Sequence, residues 1–350
     1  MSQSTTELEV AVIGAGLSGL SVARRLNASS KHFRVFEARS HSGGRVVSAP
    51  VEGGHADLGP TWFWPNEPRM RALVAEFDLA VHDQFSEGDA IYAADGQVRR
   101  ASGFAAPPSF RFSDGAQSLT DALTDALPAD AIEYNAPVER IEQDGDRIVV
   151  HLAAEKVTAE AVVLALPPSL VMSSGMIDAS TLDQNVAETA ALIPVWMGGI
   201  SKAVAVYEHA FWRELGLSGM ISAPTSTFGE IHDMSGPDGT PAMLFGFAQA
   251  AGPTPATADA FAEQLSALFG PTTPKPIAVL GRDWSAEAFT TPASGNASQR
   301  YDLYGSPLLR SPSWNQNLHW ASTETGAFAP GHLEGALEAA ERTVAAILGG

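Results

Sequence analysis

A glycine-rich turn near the start of the chain constrains the fold more than any other feature of the sequence. Residues 14–19 read Gly-Ala-Gly-Leu-Ser-Gly and match the pattern G-x-G-x-x-G. The turn follows an apolar run, Val10–Ile13, and precedes residues 17–26, whose apolar side chains recur at helical spacing. A second apolar run, Phe33–Phe36, comes next. A strand, a glycine-rich turn, a helix and a second strand in this order predict the opening of a doubly wound α/β sheet.

The turn also predicts a dinucleotide-binding site. Gly14 permits the tight turn, Gly16 lets the backbone approach a pyrophosphate, and Gly19 lets the helix pack closely on the strand. Glu37 lies 18 residues beyond Gly19, at the end of the second predicted strand. A carboxylate there accepts hydrogen bonds from both hydroxyls of an adenosine ribose, and it disfavours a 2′-phosphate. The position therefore favours FAD or NAD over NADP.

A second glycine-rich turn carries positive charge. Residues 42–45 read Ser-Gly-Gly-Arg, and Arg39 lies just before them. Glycines allow a backbone to touch phosphate, and an arginine can neutralise it. We therefore expect Arg39 and Arg45 to contact the phosphates of the dinucleotide.

Composition excludes several other classes of protein. The 350 residues allow about two domains, and 40 acidic against 21 basic residues give a net charge of −19. This charge argues against a nucleic-acid binder and against docking on an anionic membrane. Because cysteine is absent, disulfides, thiolate metal sites and thiol nucleophiles are excluded, and no other metal motif is found. A polar start and the lack of about 20 consecutive apolar residues predict a cytoplasmic protein without a membrane span.

Four separated segments share their patterns with one family of enzymes. Residues 36–45 match its E-A-R/K-x-x-x-G-G-R signature, and residues 57–62 match a D-L-G-x-x-aromatic segment that approaches a flavin ring. Residues 135–138 fit its adenine-side loop. Thr323–Thr325 and residues 331–336 match the ending T-E-T…G-Y-M-E-G-A. Together these segments resemble the flavin-containing amine oxidases, the monoamine oxidase-like family, and the short chain resembles a soluble, bacterial-type member.

The resemblance implies an FAD-binding, Rossmann-like doubly wound domain with an inserted sheet-and-helix substrate domain. The expected boundaries are 1–69, 112–170 and 276–350 for the FAD-binding domain, and 70–111 and 171–275 for the substrate domain. The start of the last predicted helix, at Leu333, is expected to face N1 and O2 of the flavin. The two turns and the resemblance together give the following cofactor-binding residues: Gly14, Ala15, Gly16, Ser18, Gly19, Glu37, Ala38, Arg39, Gly44, Arg45, Gly59, Pro60, Thr61, Trp62, Val138, Glu324, Thr325 and Leu333.

Two candidate catalytic residues come with the resemblance. Lys202 opens a stretch of alternating residues and shares its predicted face with Val204 and Val206. The family has a lysine at the start of such a strand, which holds a water against flavin N5 and helps oxygen to react. Trp284 resembles a tryptophan beside the flavin ring, just before a loop that carries a flavin-tethering cysteine in some members. Without cysteine that tether is impossible, so we expect FAD to be bound non-covalently.

The substrate side differs from the family. Its members flank the flavin with two aromatic rings, whereas this chain has Ser294 and His332 at the corresponding positions. Polar recognition, a proton relay and a simple pocket wall all stay open for His332, the third candidate catalytic residue. Residues 62–64, Trp-Phe-Trp, either rebuild an aromatic wall or belong to the core. The pair His232 and Asp233 is expected in an exposed loop.

The resemblance implies an FAD-dependent oxidase that removes a hydride from the carbon next to an amine nitrogen and passes electrons to O2, giving H2O2. Its partners would be a small-molecule amine and O2, with no nucleic acid and no membrane. One alternative is an FAD enzyme of the same superfamily with another substrate, either reduced nicotinamides, as in renalase-like enzymes, or a compound to be desaturated. A flavin-binding protein without turnover is the second alternative.

Overall fold

The structure is a computed structural model, and it describes residues 6–103, 106–249, 257–293 and 300–349. The strands, in chain order, are β1 Thr6–Ile13, β2 Phe33–Phe36, β3 Ser48–Val51, β4 Gly54–Asp57, β5 Val81–Asp83, β6 Asp89–Ala94, β7 Gln97–Ala101, β8 Phe110–Phe112, β9 Ile132–Glu133, β10 Val138–Asp144, β11 Arg147–Leu152, β12 Lys156–Leu164, β13 Ile200–Tyr207, β14 Leu217–Ser222, β15 Phe228–Asp233, β16 Ala242–Gln249, β17 Ala278–Asp283 and β18 Leu318–Trp320. The α-helices are α1 Leu17–Ala28, α2 Pro68–Glu76, α3 Gln117–Asp125, α4 Pro168–Ser174, α5 Gln184–Leu192, α6 Phe211–Glu214, α7 Ala258–Phe269, α8 Pro307–Arg310 and α9 Leu333–Gly349.

The first sheet is the doubly wound sheet that the glycine-rich turn predicts. Its strand order is β10-β11-β12-β1-β2-β9, and β18 pairs in parallel with the carboxyl-terminal end of β12. β1 pairs in parallel with both β12 and β2, and β2 pairs in parallel with β9. A central parallel strand is buried on both faces, which explains why β1 is an almost continuous apolar run. The predicted α/β fold class is confirmed.

Helices cover both faces of this sheet. On one face, α1, α2, α3 and α9 pack through a shared apolar cluster that includes Leu20, Leu119 and Leu337. On the other face, α4 and α5 pack on β10 to β12. In α9, Leu333–Ala340 are buried without interruption, as are Thr343 and Val344, so the first half of the last helix is enclosed in the core beside the nucleotide-binding sheet.

The second sheet has seven strands in the order β17-β13-β16-β15-β14-β6-β7. All its pairs are antiparallel except β14 with β6. Residues 278–283 form its edge strand β17, although the sequence analysis places them in the FAD-binding domain. The domain boundaries themselves stay a prediction.

Strand β13 has the two faces that the alternation predicts. Ala203, Ala205 and Tyr207 pack with helices α6 and α7. Val204 and Val206 face the opposite side, where they pack against the hairpin β3–β4. Lys202 shares this second face, so β13 directs a lysine towards the region between the two sheets.

The expectation of an exposed loop at His232 and Asp233 is wrong. Both residues belong to β15, and Asp233 is only 1% exposed. Its carboxylate accepts hydrogen bonds from Trp212 Nε1 at 2.8 Å and from Arg213 Nε at 2.8 Å. An aspartate that receives two such donors is stable in the interior, and the donors come from a helix distant in sequence.

No helix in the described part of the chain is both long enough and apolar enough to span a lipid bilayer.

Candidate functional site

A cavity of about 1170 Å³ lies between the two sheets. The first sheet contributes the glycine-rich turn and the end of β2, and the second contributes residues such as Ile200, Glu230 and Phe247. Small-molecule sites usually have volumes of about 300–1,000 Å³. This cavity is therefore large enough for a dinucleotide together with a small second molecule.

The cavity brings together most of the predicted site residues. Those that line it are Gly14, Gly16, Ser18, Glu37, Ala38, Arg39, Gly44, Arg45, Gly59, Pro60, Thr61, Trp62, Val138, Trp284, His332 and Leu333. Five others lie outside its wall: Ala15, Gly19, Lys202, Glu324 and Thr325. Ser294 lies outside the described residues.

The nucleotide end of the cavity is built by backbone amides and one buried carboxylate. Glu37 Oε2 accepts the backbone N–H of Ala15 at 2.8 Å, and Oε1 accepts that of Arg39 at 2.9 Å. These bonds hold the carboxylate in one orientation. A Cβ on Gly19 would collide with the carbonyl oxygen of Gly14, so only glycine lets α1 begin this close to β1. The first N–H groups of α1 are thereby left facing the cavity.

Both predicted phosphate-binding arginines line the cavity, and both already contact carboxylates. Arg39 Nη2 lies 3.1 Å from Glu287 Oε2 and 2.9 Å from Thr290 Oγ1. Arg45 forms a two-pronged pair with Glu324, at 2.5 and 3.2 Å. Burial raises the pKa of Glu324, but the Arg45 guanidinium more than offsets this and holds that pKa below its usual range. The phosphate role of the arginines stays a prediction, whereas Glu324 serves here as the buried anchor of Arg45.

Thr325 also has a structural partner. Its hydroxyl donates to the carbonyl oxygen of Ser322 at 2.8 Å, within the short 3-10 helix Thr323–Thr325. This helix is hydrogen-bonded to the approach to α9, since Thr323 Oγ1 donates to the carbonyl oxygen of His332 at 2.6 Å. Thr323 thus connects this short helix to the approach to α9, whereas Glu324 pairs with Arg45 and Thr325 bonds within its own turn.

Lys202 lies just behind the cavity wall and is 1% exposed. Its Nζ donates to the carbonyl oxygen of Gly59 at 2.9 Å and to the hydroxyl of Thr61. The ammonium also lies 4.4 Å from the ring centre of Phe245, a distance at which a cation and an aromatic face attract. Burial lowers the pKa of Lys202 to about 7. The pKa of Lys202 therefore lies near neutral pH, and its side chain contacts two residues that line the cavity, Gly59 and Thr61.

The sequence analysis missed a buried ion pair near Lys202. Asp57 accepts hydrogen bonds from the backbone N–H of Ala116 at 2.8 Å and the hydroxyl of Ser48 at 2.6 Å. Arg111 Nη2 lies 3.9 Å from its second oxygen. Asp57 raises the pKa of Lys202 and Arg111 lowers it. Asp57 begins the D-L-G-x-x-aromatic segment described above. Arg111, the single basic residue of strand β8 (Phe-Arg-Phe), shows no sequence pattern that links it to Asp57.

Trp284 is buried and contributes to the cavity wall. Its indole N–H donates to the carbonyl oxygen of Leu58 at 2.9 Å. The neighbouring carbonyl, that of Gly59, receives Lys202. Two side chains from the second half of the chain therefore hold the segment at residues 58–61.

Aromatic side chains form another part of the cavity wall. Trp62 and Trp64 line the cavity with ring centres 6.4 Å apart, whereas Phe63 points into the core between Phe110 and Phe112. His332 stacks on Trp64, with ring centres 4.9 Å apart and an angle of 27°. The Trp-Phe-Trp run thus supplies both the wall and the core that the sequence offered as alternatives.

Glu67 is a further polar residue that the sequence analysis missed. Its side chain is only 3% exposed, and Oε1 lies 3.3 Å from His332 Nδ1. The following Pro68 begins helix α2. An acidic residue just before a proline predicts a helix start, but it gives no sign of a histidine 265 positions further on.

Comparison with known proteins agrees with this geometry. A family model for flavin containing amine oxidoreductase matches residues 95–348, and a model for an NAD(P)-binding Rossmann-like domain matches residues 12–77. The chain is 23% identical to putrescine oxidase of Kocuria rosea over 99% of this chain and 96% of that protein. It is 27% identical to flavin-containing amine oxidase B of Canis lupus familiaris over 68% of this chain and 47% of that protein.

Solved structures share the fold. The structure of putrescine oxidase bound to putrescine has a TM-score of 0.84 and 21% identity, covering 99% of this chain and 100% of that one. Cyclohexylamine oxidase from Brevibacterium oxydans has a TM-score of 0.83 and 21% identity, covering 97% and 98%. At these identities the likeness concerns the fold alone.

The Rossmann-like sheet, its glycine-rich turn and the cavity define a dinucleotide-binding oxidoreductase. Because the matched residues 95–348 make up more than half of the chain, the protein belongs to the flavin-containing amine oxidoreductase family. Its cofactor is accordingly a flavin.

The residues present fit a flavin dinucleotide. The first N–H groups of α1 suit a pyrophosphate, and the Glu37 carboxylate suits the hydroxyls of a ribose. Leu333, at the first position of α9, lines the same cavity as Gly59, Pro60 and Thr61. The positive end of a 17-residue helix there suits the electron-rich edge of a flavin ring. The residues present therefore suit the phosphates, a ribose and one edge of the ring of such a cofactor.

Proposed function

We propose that this protein is an FAD-dependent oxidase of a small-molecule amine, with O2 as electron acceptor and H2O2 as a product. The observation that carries the proposal is the single cavity shared by the dinucleotide turn, the Lys202–Thr61 contact and the aromatic wall. The family of the chain supports amine oxidation in general. Putrescine oxidase and cyclohexylamine oxidase, which share the fold, are named for amine substrates.

The chain's own residues bind and orient the two reactants. Glu37 and the α1 turn hold the adenosine and phosphate half of FAD, while the segment at residues 58–61 and the start of α9 hold the ring. FAD bound by these residues would supply the redox chemistry, as acceptor of a hydride equivalent from the carbon next to the amine nitrogen and as donor of the electrons to O2. Trp62 and Trp64 enclose the amine and exclude water from it.

The amine reacts as the neutral base, since its lone pair assists cleavage of the neighbouring C–H bond. Burial favours this form, because it disfavours an ammonium without a charged partner. We propose non-covalent FAD because the chain contains no cysteine for the family's thioether bond.

An anaerobic reduction screen tests the proposal. The purified protein is expected to be yellow, to absorb at about 450 nm as flavins do, and to bleach with at least one member of a panel of amines. The panel should also contain amino acids and NADH, because bleaching by NADH alone would support a nicotinamide oxidase instead. Acid precipitation is expected to release the flavin, and flavin left in the pellet would contradict non-covalent binding. A protein that cannot take up FAD would refute the proposal.

Replacing Lys202 tests its role towards oxygen. In Lys202→Met we expect normal FAD binding and normal anaerobic reduction, but reoxidation by O2 at least tenfold slower, because the variant lacks the cationic group behind Thr61. Stopped-flow mixing of the reduced protein with oxygenated buffer measures this rate. Lys156→Met, at the exposed start of β12, is the matched control. Equal oxygen kinetics in Lys202→Met and the control would remove Lys202 from the reaction.

A further inference from the structure

We propose that His332 Nε2 accepts the proton of the substrate ammonium, and that Glu67 is the positioning residue that prepares His332 for this role. The inference rests on the amine oxidation proposed above and assigns its proton acceptor. It also chooses among the three roles that the sequence leaves open for His332.

Glu67 determines which nitrogen of His332 carries the proton. Its Oε1 lies 3.3 Å from His332 Nδ1, and its Oε2 accepts the backbone N–H of Trp64 at 3.0 Å. An ionised carboxylate only accepts hydrogen bonds, so Nδ1 is the donor in this contact. In a neutral imidazole the other nitrogen, Nε2, is then a bare acceptor.

The imidazole ring of His332 makes a stacking contact on its face in addition to the Glu67 contact at its edge. Trp64 stacks against it at 4.9 Å, and the same residue's backbone N–H fixes Glu67. His332 lines the cavity with 38% of its side chain exposed. Within the described part of the chain, Nε2 has no hydrogen-bond partner. A bare, oriented acceptor on a cavity wall is placed to receive an N–H group from a ligand.

Charges around the cavity favour an ammonium over a carboxylate as the group that meets His332. The arginines that line the cavity in the described structure, Arg39 and Arg45, each contact a glutamate. Glu230 adds a carboxylate to the wall, and its Oε1 lies 2.6 Å from His232 Nε2. The charged groups on the elements packed around His332 are the following: Glu67 before α2; Arg69, Arg71 and Glu76 on α2; Glu334, Glu338, Glu341 and Arg342 on α9; and the Arg45–Glu324 pair beside Thr323. Of these, only Glu67 makes a polar contact with the ring.

The proposed step moves one proton and needs no oxidant. One N–H bond of the ammonium breaks, its electron pair stays on nitrogen as the lone pair, and a bond forms between that proton and Nε2. The reference pKa values, about 10.4 for a lysine-type ammonium and about 6.5 for imidazole, oppose this transfer in water. Burial among aromatic rings lowers the pKa of an ammonium. The Glu67 carboxylate faces the imidazolium that forms, and the proton leaves afterwards through the exposed part of the ring.

Two amine substrates distinguish a proton-accepting role of His332 from a role as a passive part of the pocket wall. The probes are 2-phenylethylamine and its 2,2-difluoro analogue, whose fluorines make the ammonium more acidic and so increase its neutral fraction at pH 7. For 2-phenylethylamine we expect kcat/KM at pH 7 to fall about tenfold or more in His332→Gln and Glu67→Gln, in line with general-base catalysis. The loss should disappear towards pH 10. For the difluoro analogue, variants and parent should agree within about twofold.

The control is Glu142→Gln. Glu142 pairs with His151 at 2.6 Å on strands β10 and β11, outside the cavity wall, so this variant removes the same kind of contact elsewhere. An equal loss with both amines in His332→Gln would overturn the proposal, because it would indicate a wall or a recognition role. If the parent oxidises no amine at all, the proposed function fails instead, and the ring nitrogen measurement below still decides the histidine's state.

Nitrogen-15 NMR of the histidine rings tests the positioning without turnover. The His332 signals are identified by their loss in His332→Gln. We expect the Nδ1–H tautomer in the parent and in Glu142→Gln, and a shift towards Nε2–H in Glu67→Gln. An Nε2–H ring in the parent, or an unchanged ring in a folded Glu67→Gln variant, would overturn the role of Glu67. Near-ultraviolet circular dichroism confirms that each variant is folded.

Discussion

Lys202 has almost no contact with solvent, and most of its neighbours are apolar. Its ammonium has two oxygen partners, Gly59 and Thr61, and an aromatic face, Phe245, but no carboxylate within hydrogen-bond distance in the described structure. Burial is the main reason why its pKa falls from 10.5 to about 7. A group that titrates so differently in the folded and unfolded chain couples stability to pH.

The sign of that coupling is fixed. Between about pH 7 and 10.5 the unfolded chain binds a proton at Lys202 that the folded protein does not, so this lysine's cost to stability shrinks as pH rises. We expect Lys202→Met to be more stable than the parent at pH 7, with the gap in unfolding free energy closing by about 1 kcal/mol per pH unit above it. Urea unfolding of both proteins at pH 7, 8 and 9 measures the gap. A difference in unfolding free energy that stays constant from pH 7 to 9, as expected between the parent and Lys156→Met, would contradict the lowered pKa of Lys202.

Helix α2 is capped by a residue from another helix. The residue before it, Glu67, makes no capping bond, because its carboxylate serves Trp64 and His332. Glu334 of α9, which is fully buried, accepts the backbone N–H groups of Met70 at 2.9 Å and Arg69 at 3.3 Å instead. The start of α2 is thereby fastened to the start of α9, next to the cavity.

Removing this distant cap should destabilise the protein. In Glu334→Ala two N–H groups lose their acceptor, at about 1–3 kcal/mol for each buried group, so we expect a loss of about 2–6 kcal/mol in the free energy of unfolding. Glu341→Gln is the matched control, because Glu341 pairs with the same Arg69 on the surface. Its effect should stay within about 0.5 kcal/mol. Urea midpoints that are equal for the two variants would contradict the capping role.

The sequence predicts elements whose signal is local. Strand β2 has the predicted bounds, Phe33–Phe36, because its signal lies within one short stretch of sequence. Strand β15 was missed because its buried Asp233 depends on Trp212 and Arg213, about 20 positions away. The same limit applies to the site. The nucleotide turn is one continuous motif, whereas the Glu67–His332 pair joins two segments that only the folded chain brings together.

At the scale of the whole molecule, the cavity joins the two sheets. Residues 58–61 follow the hairpin β3–β4 and accept hydrogen bonds from Lys202 of the second sheet and from Trp284, which comes directly after its edge strand β17. Arg111 on β8 donates to the carbonyl oxygen of Ser235, beyond β15, at 2.8 Å. A ligand that fills the cavity contacts both halves, so its binding energy should stabilise them together.

FAD should therefore shift a single thermal transition. With free FAD at 100 times its dissociation constant, the folded state gains about 2.7 kcal/mol, and we expect the midpoint of the whole transition to rise by a few degrees. Differential scanning calorimetry of apoprotein with and without FAD measures this shift. FMN, which lacks the adenosine half that Glu37 receives, serves as the control and should shift it much less. Two transitions, only one of which moves, would show that the sheets unfold independently.

The two backbone bonds to Glu37 have a consequence for exchange of the cofactor. Because the backbone N–H groups of Ala15 and Arg39 orient the carboxylate, its position is fixed by the protein's own fold. The groups that receive the adenosine are therefore positioned independently of the chemical structure of the ring at the other end of the cofactor. Chemists could load the apoprotein with flavins altered at the ring, such as 5-deaza-FAD, and compare their reactivity within one unchanged protein frame.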